Sequence, residues 1–255
     1  MTYAEIFPLH NMQEMVSKVD EALKLYEAKD LLVAFDIDMT LTQPDHPATY
    51  IPAMYEHINE YKKIILDLDE LKKDMCFMLT MFLPQRLVDE KTPQIIAALK
   101  EKDLKMIAFT SSCSGKIRNQ PRLETFRYDV LKGLGIDFED SFVDYPDLLF
   151  TEHEPYRGHY PSFYRGLLCA NGERNFTSKG PVLLSFLRSV KREPKMIIMI
   201  DDRKKNLENI ETFLKQSYPQ TNFSGAFSLS ISITRRSSSF NGYLFASESE
   251  VSSIN

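Results

Sequence analysis

The 255-residue chain has only three cysteines, Cys76, Cys113 and Cys169, an odd number scattered along its length. That excludes a disulfide framework and gives no zinc-ligand spacing, so buried thiols in a reducing compartment are expected. Positive charge is not in excess either. A net charge of -5 argues against nonspecific nucleic-acid binding, which needs a basic face. No stretch approaches the roughly 20 apolar residues that span a bilayer. Glu5, Glu14, Asp20 and Glu21 interrupt the first thirty residues, so no secretory leader is legible there. A soluble, cytoplasmic protein is expected, with export by a route lacking an N-terminal signature left open. The five histidines, His10, His46, His57, His153 and His159, show no metal-ligand spacing. What remains is ordinary globular composition, 43% hydrophobic and 26% charged, enough for one large domain or a core with an inserted smaller one.

The informative stretch is LLVAFDIDMTLT, residues 31–42. Residues 31–35 are apolar without interruption, as in a parallel strand buried on both faces. The run breaks into Asp36 and Asp38, two carboxylates that repel each other and cost several kcal/mol to bury unpaired. A bound cation would relieve them, at the carboxyl end of a strand where open α/β sheets place their ligands.

Around this stretch, helical spacing over 12–26 predicts a helix leading into the strand. Three prolines in QPDHPATYIP mark a linker, and 53–82 reads as a mostly helical inserted cap. A helix over 92–99, a buried strand over 104–109 ending in Thr110-Ser111-Ser112, and a helix over 119–132 follow. Residues 136–143 suggest a third strand. Residues 145–175 are irregular, and Asn171-Gly172 has the composition of a hairpin turn. A helix opens at Ser178-Lys179-Gly180-Pro181, and an apolar strand over 196–200 stops at Asp201-Asp202 before a helix over 206–215. The last strand is expected beyond 221, where 229–234 alternate apolar and polar residues ahead of a serine-rich tail. The alternation predicts an α/β fold: a doubly wound, Rossmann-like, mostly parallel sheet with helices on both faces and a small helical cap. Its divisions are a core of 1–43 and 90–222 with an irregular insert at 145–175, a cap of 44–89, and a last strand and tail at 223–255.

Three buried strands thus end in Asp36/Asp38, Thr110/Ser111 and Asp201/Asp202, and Lys179 starts a helix at the same edge. Each has a plain reading alone: a hydroxyl or carboxylate after a strand is commonly a helix cap, and a lysine at a helix start is commonly solvated. In this order they resemble the four motifs of the haloacid dehalogenase-like (HAD) superfamily, mostly Mg²⁺-dependent phosphatases and phosphotransferases. DIDMTL at 36–41 resembles the first motif, Thr110-Ser111 the second, Lys179 the third and IDDRKKN at 200–206 the fourth. The resemblance spans about residues 31–215, and the pattern of FTSS with a late SKG is similar to a little-characterised bacterial branch.

The resemblance implies a role for each position. Asp36 would be the nucleophile that forms an aspartyl-phosphate, and Asp38 the general acid and base. Asp36, the backbone carbonyl of Asp38 and Asp202 would hold Mg²⁺, which favours oxygen ligands. Asp201 would pair with Lys179, and Asn206 would hold a metal-bound water. Thr110, with the amide of Ser111, would bind the transferring phosphoryl group, while Lys179 offsets its charge. Thr40 would orient Asp38. Two positions depart from the pattern: Met39 where many relatives have glycine, and Asn206 where many have an acid. The implied activity is hydrolysis of a phosphate monoester, its substrate a small phosphorylated molecule. A phosphotransferase using the same intermediate, and a phosphate-binding interaction protein with little turnover, stay open. Cys113 reads as a small buried thiol rather than a nucleophile. His153, His159, Arg157 and Arg165 read as surface loop, with substrate contact as the alternative.

Overall fold

The computed structural model describes residues 4–46, 57, 59–60, 63–64, 67–172 and 179–228. In chain order these form β1 (Ala4–Leu9), α1 (Met12–Leu23), β2 (Leu31–Phe35), β3 (Thr42–Pro44), α2 (Glu70–Met81), β4 (Gln85–Leu87), α3 (Thr92–Lys100) and β5 (Lys105–Thr110). After them come α4 (Leu123–Gly133), β6 (Asp147–Leu149), β7 (Ser162–Tyr164), β8 (Leu167–Cys169), α5 (Lys179–Ser189), β9 (Met196–Asp201), α6 (Lys204–Ser217) and β10 (Asn222–Ser228). Eight strands form one sheet in the order β1-β10-β9-β2-β5-β8-β7-β6. From β1 across to β8 every pair is parallel, while β8–β7 and β7–β6 are antiparallel. This is a doubly wound, Rossmann-like α/β fold. Among the described residues no helix is long and apolar enough to cross a membrane.

The central strands show why an unbroken apolar run was needed. Successive side chains point to opposite faces. Leu31, Val33 and Phe35 of β2 enter one core with Met15 and Val19 of α1 and Ile95 and Leu99 of α3. Leu32 and Ala34 enter the other, with Val182 and Phe186 of α5 and Leu207 and Ile210 of α6. β5 and β9 alternate in the same way between the two cores. With both faces covered, polar residues are confined to strand ends, and that puts the carboxylates together at one edge.

Several expectations are corrected. The chain enters the sheet with β1, ahead of the predicted first helix. Residues 136–143 hold a 3-10 turn, Glu139–Phe142, instead of a third strand. Phe138 and Phe142, four apart, drop into opposite cores across the end of the sheet. The hairpin turn lies at Arg165-Gly166, both at positive φ, and not at Asn171-Gly172. The last strand does fall beyond residue 221 as expected: it is β10, which sits inside the sheet between β1 and β9. The alternation at 229–234, the serine-rich tail and most of the cap before α2 lie outside the described residues.

The base of the inserted segment is pinned by the antiparallel pair β3–β4. Asp69 caps α2, accepting from the Lys72 amide at 2.9 Å. One face of α2 and the residue after it meet the core: Met78 and Phe82 pack on Cys113, Ile117 and Leu123. Phe82 also meets the Phe126 ring edge-on, centroids 4.5 Å apart, and Asp74 pairs with Arg118 at 2.9 Å and with Arg157.

Candidate active site

β2 ends at Phe35, and the Asp36 amide continues the ladder by donating to Ile200 O of β9 at 2.8 Å. The chain then turns sharply: Ile37 O accepts from the amides of Thr40, Leu41 and Thr42, and the Met39 amide donates to Thr42 O. The turn holds Met39 at φ 66, a left-handed conformation suited to glycine, with its side chain nonetheless buried.

Asp36 is 4% exposed and Lys179, the first residue of α5, is 2% exposed. Lys179 Nζ donates to Asp36 Oδ1 at 2.6 Å, Asp201 Oδ2 at 2.6 Å and Phe109 O at 2.8 Å. Its three protons are thereby matched by three acceptors. The start of α5 can lie this deep because Gly180 has no Cβ, which would stand 2.6 Å from the Phe213 ring of α6. Asp201, at the end of β9, is filled on its other oxygen by the Arg203 amide and Asn206 Nδ2, each at 2.9 Å.

Carboxylate oxygens of Asp36, Asp201 and Asp202 all lie within 4.8 Å of one another. Three carboxylates facing one buried ammonium leave two negative charges in excess. Arg203, half exposed and 4.0 Å from Asp202, offsets them weakly. Burial, with the neighbouring carboxylates adding, holds the Asp36 carboxyl well above its usual range despite Lys179. Burial and then Asp201 push Asp202 up to about 7. Burial alone would lower the Lys179 ammonium, but Asp201 and Asp36 hold it above its ordinary value.

Asp38 points to a different set of groups. Its Oδ1 accepts from Arg127 Nη1 at 2.9 Å and its Oδ2 from Thr110 Oγ1 at 3.1 Å. Burial opposes ionisation of Asp38, yet Arg127, Thr110 and Lys179 together carry its carboxyl below the usual range. Thr110 Oγ1 in turn accepts from the Ser112 amide at 3.0 Å. The loop beyond β5 is zipped to the segment after β8. Ser112 O accepts from the Asn171 amide and Ser111 O from the Gly172 amide, while buried Asn171 accepts from the Ser114 amide through its Oδ1.

The expected residues therefore divide. Asp36, Lys179, Asp201 and Asp202 form one cluster, with Asn206 attached through Asp201. Asp38 and Thr110 form a second, while Ser111 contributes its carbonyl to the loop tie. Thr40 is corrected: its hydroxyl donates to Asp36 Oδ2 at 3.2 Å and orients Asp36, not Asp38. Asn206 donates through its Nδ2 to Asp201 Oδ1. Asp201 joins Asp36 and Asp202 in the carboxylate group, a wider set than its pairing with Lys179 implied. His153 bonds Ser185, His159 bonds Lys116 O, Arg157 pairs with Asp74 and Arg165 with Glu139.

Arg127 was missed. Its signal was present in α4, where Leu123, Arg127 and Leu131 are spaced by four and both leucines are buried. A charge in that stripe requires a partner, and the partner is Asp38.

A family model described as "Protein of unknown function (DUF2608)" matches residues 8–239. An uncharacterized protein of Rickettsia bellii is 25% identical over 222 residues, covering 83% of this chain and 73% of its own. One from Rickettsia felis is 27% identical over 233 residues, covering 84% and 73%, and the uncharacterized protein RC0398 of Rickettsia conorii is 25% identical over 226 residues, covering 82% and 71%. No solved structure matches.

Proposed function

We propose, for a chain that belongs to the DUF2608 family and takes no activity from that membership, that it is a Mg²⁺-dependent phosphatase of the HAD-like type. The observation that carries the reading is the buried cluster of Asp36, Asp201, Asp202 and Lys179, beside Asp38 and Thr110. A cluster that would carry two uncompensated charges when fully ionised is a poor structural element, because crowding carboxylates costs stability that a packed apolar group would not. It suits a hard divalent cation with oxygen ligands. Asp201 accepts three hydrogen bonds against two for Asp36, so Asp36 and Asp202 are the carboxylates a cation would take, with the backbone carbonyl of Asp38. When bound, Mg²⁺ would neutralise charge on the phosphoryl oxygens.

In the reaction, an Asp36 carboxylate oxygen attacks phosphorus while the bond to the leaving oxygen breaks. Asp38, ionised in the free protein, takes the proton carried by the substrate's phosphate monoanion and passes it to that leaving oxygen, giving the alcohol and an aspartyl-phosphate. Asp38, again a carboxylate, then takes a proton from water as the water oxygen attacks phosphorus. Inorganic phosphate leaves with that proton, and both aspartates return to their starting carboxylates. Lys179 steadies Asp36 through attack, and Thr110 presents its hydroxyl to the phosphoryl group. The substrate belongs to the small phosphate monoesters.

The test uses the full chain with 4-nitrophenyl phosphate. Turnover is expected with Mg²⁺, is abolished by EDTA, and is abolished in Asp36→Asn. Mg²⁺ at a hundredfold its dissociation constant should stabilise the wild-type fold by about 2.7 kcal/mol, and Asp202→Ala should remove that rise. Undiminished turnover in Asp36→Asn would sink the assignment.

A further inference from the structure

Arg127 lies in α4, well away in sequence from every strand end that forms the site. Its side chain is 12% exposed and its guanidinium donates to Asp38 Oδ1 at 2.9 Å. Thr110 Oγ1 donates to the other oxygen, Oδ2, at 3.1 Å. Both oxygens of the proposed acid and base are therefore held by protein donors, one on each. The two donors are not equivalent. Thr110 ends β5 at the site itself, and its hydroxyl is the group a phosphoryl oxygen would compete for. Arg127 comes from the flanking helix, and its packing environment is that of the buried stripe between Leu123 and Leu131.

We infer that Arg127 is a positioning residue for Asp38: it keeps Oδ1 in place through the cycle while Thr110 passes its hydrogen bond from Oδ2 to the arriving phosphoryl group. This rests on the phosphatase reading. Oδ2, released by that exchange, takes the proton that the arriving phosphate monoanion carries, passes it to the leaving group and later receives the proton from water. Oδ1 never leaves the guanidinium. The carboxylate then pivots about one fixed oxygen instead of searching its rotamers, which is the orientational advantage a general acid and base requires. The planar guanidinium suits this task, since its rigid fork fixes direction as well as charge.

A structural role for Arg127 would predict only a loss of stability on substitution. A positioning role predicts a loss graded by leaving group, because proton delivery matters little to a phenolate of low basicity and much to an alkoxide. The experiment compares wild type, Arg127→Met and Arg127→Lys on 2,4-dinitrophenyl phosphate, 4-nitrophenyl phosphate and an alkyl phosphate, with melting temperature followed in each. For Arg127→Met, kcat on the alkyl ester should fall by about 10- to 100-fold, the scale of a general acid and base partly lost. KM should stay within a factor of about two, since substrate contacts are kept.

On the dinitrophenyl ester the first half-reaction should persist and hydrolysis of the aspartyl-phosphate should slow. A burst of nitrophenol and a hydroxylamine-labile phosphoenzyme should then appear. Arg127→Lys, which keeps a donor and the charge, should recover part of the alkyl-ester rate and serves if the methionine variant does not fold. Equal losses of kcat/KM on all three esters with no burst, or a raised KM with kcat unchanged, would overturn the inference by showing a structural or a substrate-binding arginine. Wild type inactive on all three would instead overturn the phosphatase reading beneath it.

Discussion

Asp36 and Glu124 are both deeply buried carboxylates, and their surroundings are opposite in kind. Glu124, 1% exposed, accepts from the Gly115 amide, the Ser162 hydroxyl and Arg122. Those donors come from three separate segments, and Arg122 goes on to pair with Asp147 outside. Glu124 thereby ties the loop after β5 to β7. It also supports Gly115, which sits at φ 79 where a Cβ would enter the His159 ring. Asp36 also has donors, Thr40 and Lys179, but it shares its cation with Asp201 and faces Asp202. A carboxylate buried to hold the fold is surrounded by donors. Asp36 is crowded by its own kind, a crowding that the proposed cation and phosphoryl site would relieve.

That contrast can be broken first at Lys179. Replacing it with methionine removes the ammonium that pairs with the buried carboxylates of Asp36 and Asp201. The metal-free fold should lose about 4 kcal/mol, the scale of stranding a buried charge, read from urea unfolding in EDTA. Glu124→Ala should cost less, about 2 kcal/mol, because Arg122 retains Asp147 and only the Gly115 and Ser162 donors lose a partner. Its Mg²⁺-induced rise in melting temperature should match wild type. A larger loss at Glu124 than at Lys179 would reverse the comparison.

The smallest effect is expected at Met39→Gly. Glycine relieves the left-handed backbone by about 1 kcal/mol, but the buried methionine side chain is worth about 1.5–3 kcal/mol. The second term wins, and a net loss of about 1 kcal/mol should lower the melting temperature slightly. A rise would mean that the turn beside Asp38 is strained more than its packing repays.

Much of the architecture could be read in the sequence because burial on two faces leaves a strong signal. Strands β2, β5 and β9 were visible as unbroken apolar runs, and the polar residues at their ends were visible as breaks in those runs. Where the signal was local chemistry with more than one use, reading failed. Asn171 does adopt the left-handed conformation its sequence suggests. It spends that conformation on tying the loop after β5 to β8, while the hairpin turn falls to Arg165-Gly166. β10 carries alternation too weak to mark it, since Ser224 and Gly225 sit in the middle of a buried strand.

The order of carboxylates, hydroxyl and lysine along the chain was determined by sequence alone, because each stands where an apolar strand or helix must begin or end. Which of them meet was decided only by tertiary structure. Thr40 faces Asp36 because the turn after β2 folds back upon itself. Arg127 reaches Asp38 because α4 packs beside the carboxyl end of β5. Partners supplied from 89 residues away leave no local trace except a charge in an apolar stripe, and that charge becomes interpretable only when the sheet has brought its counter-ion alongside.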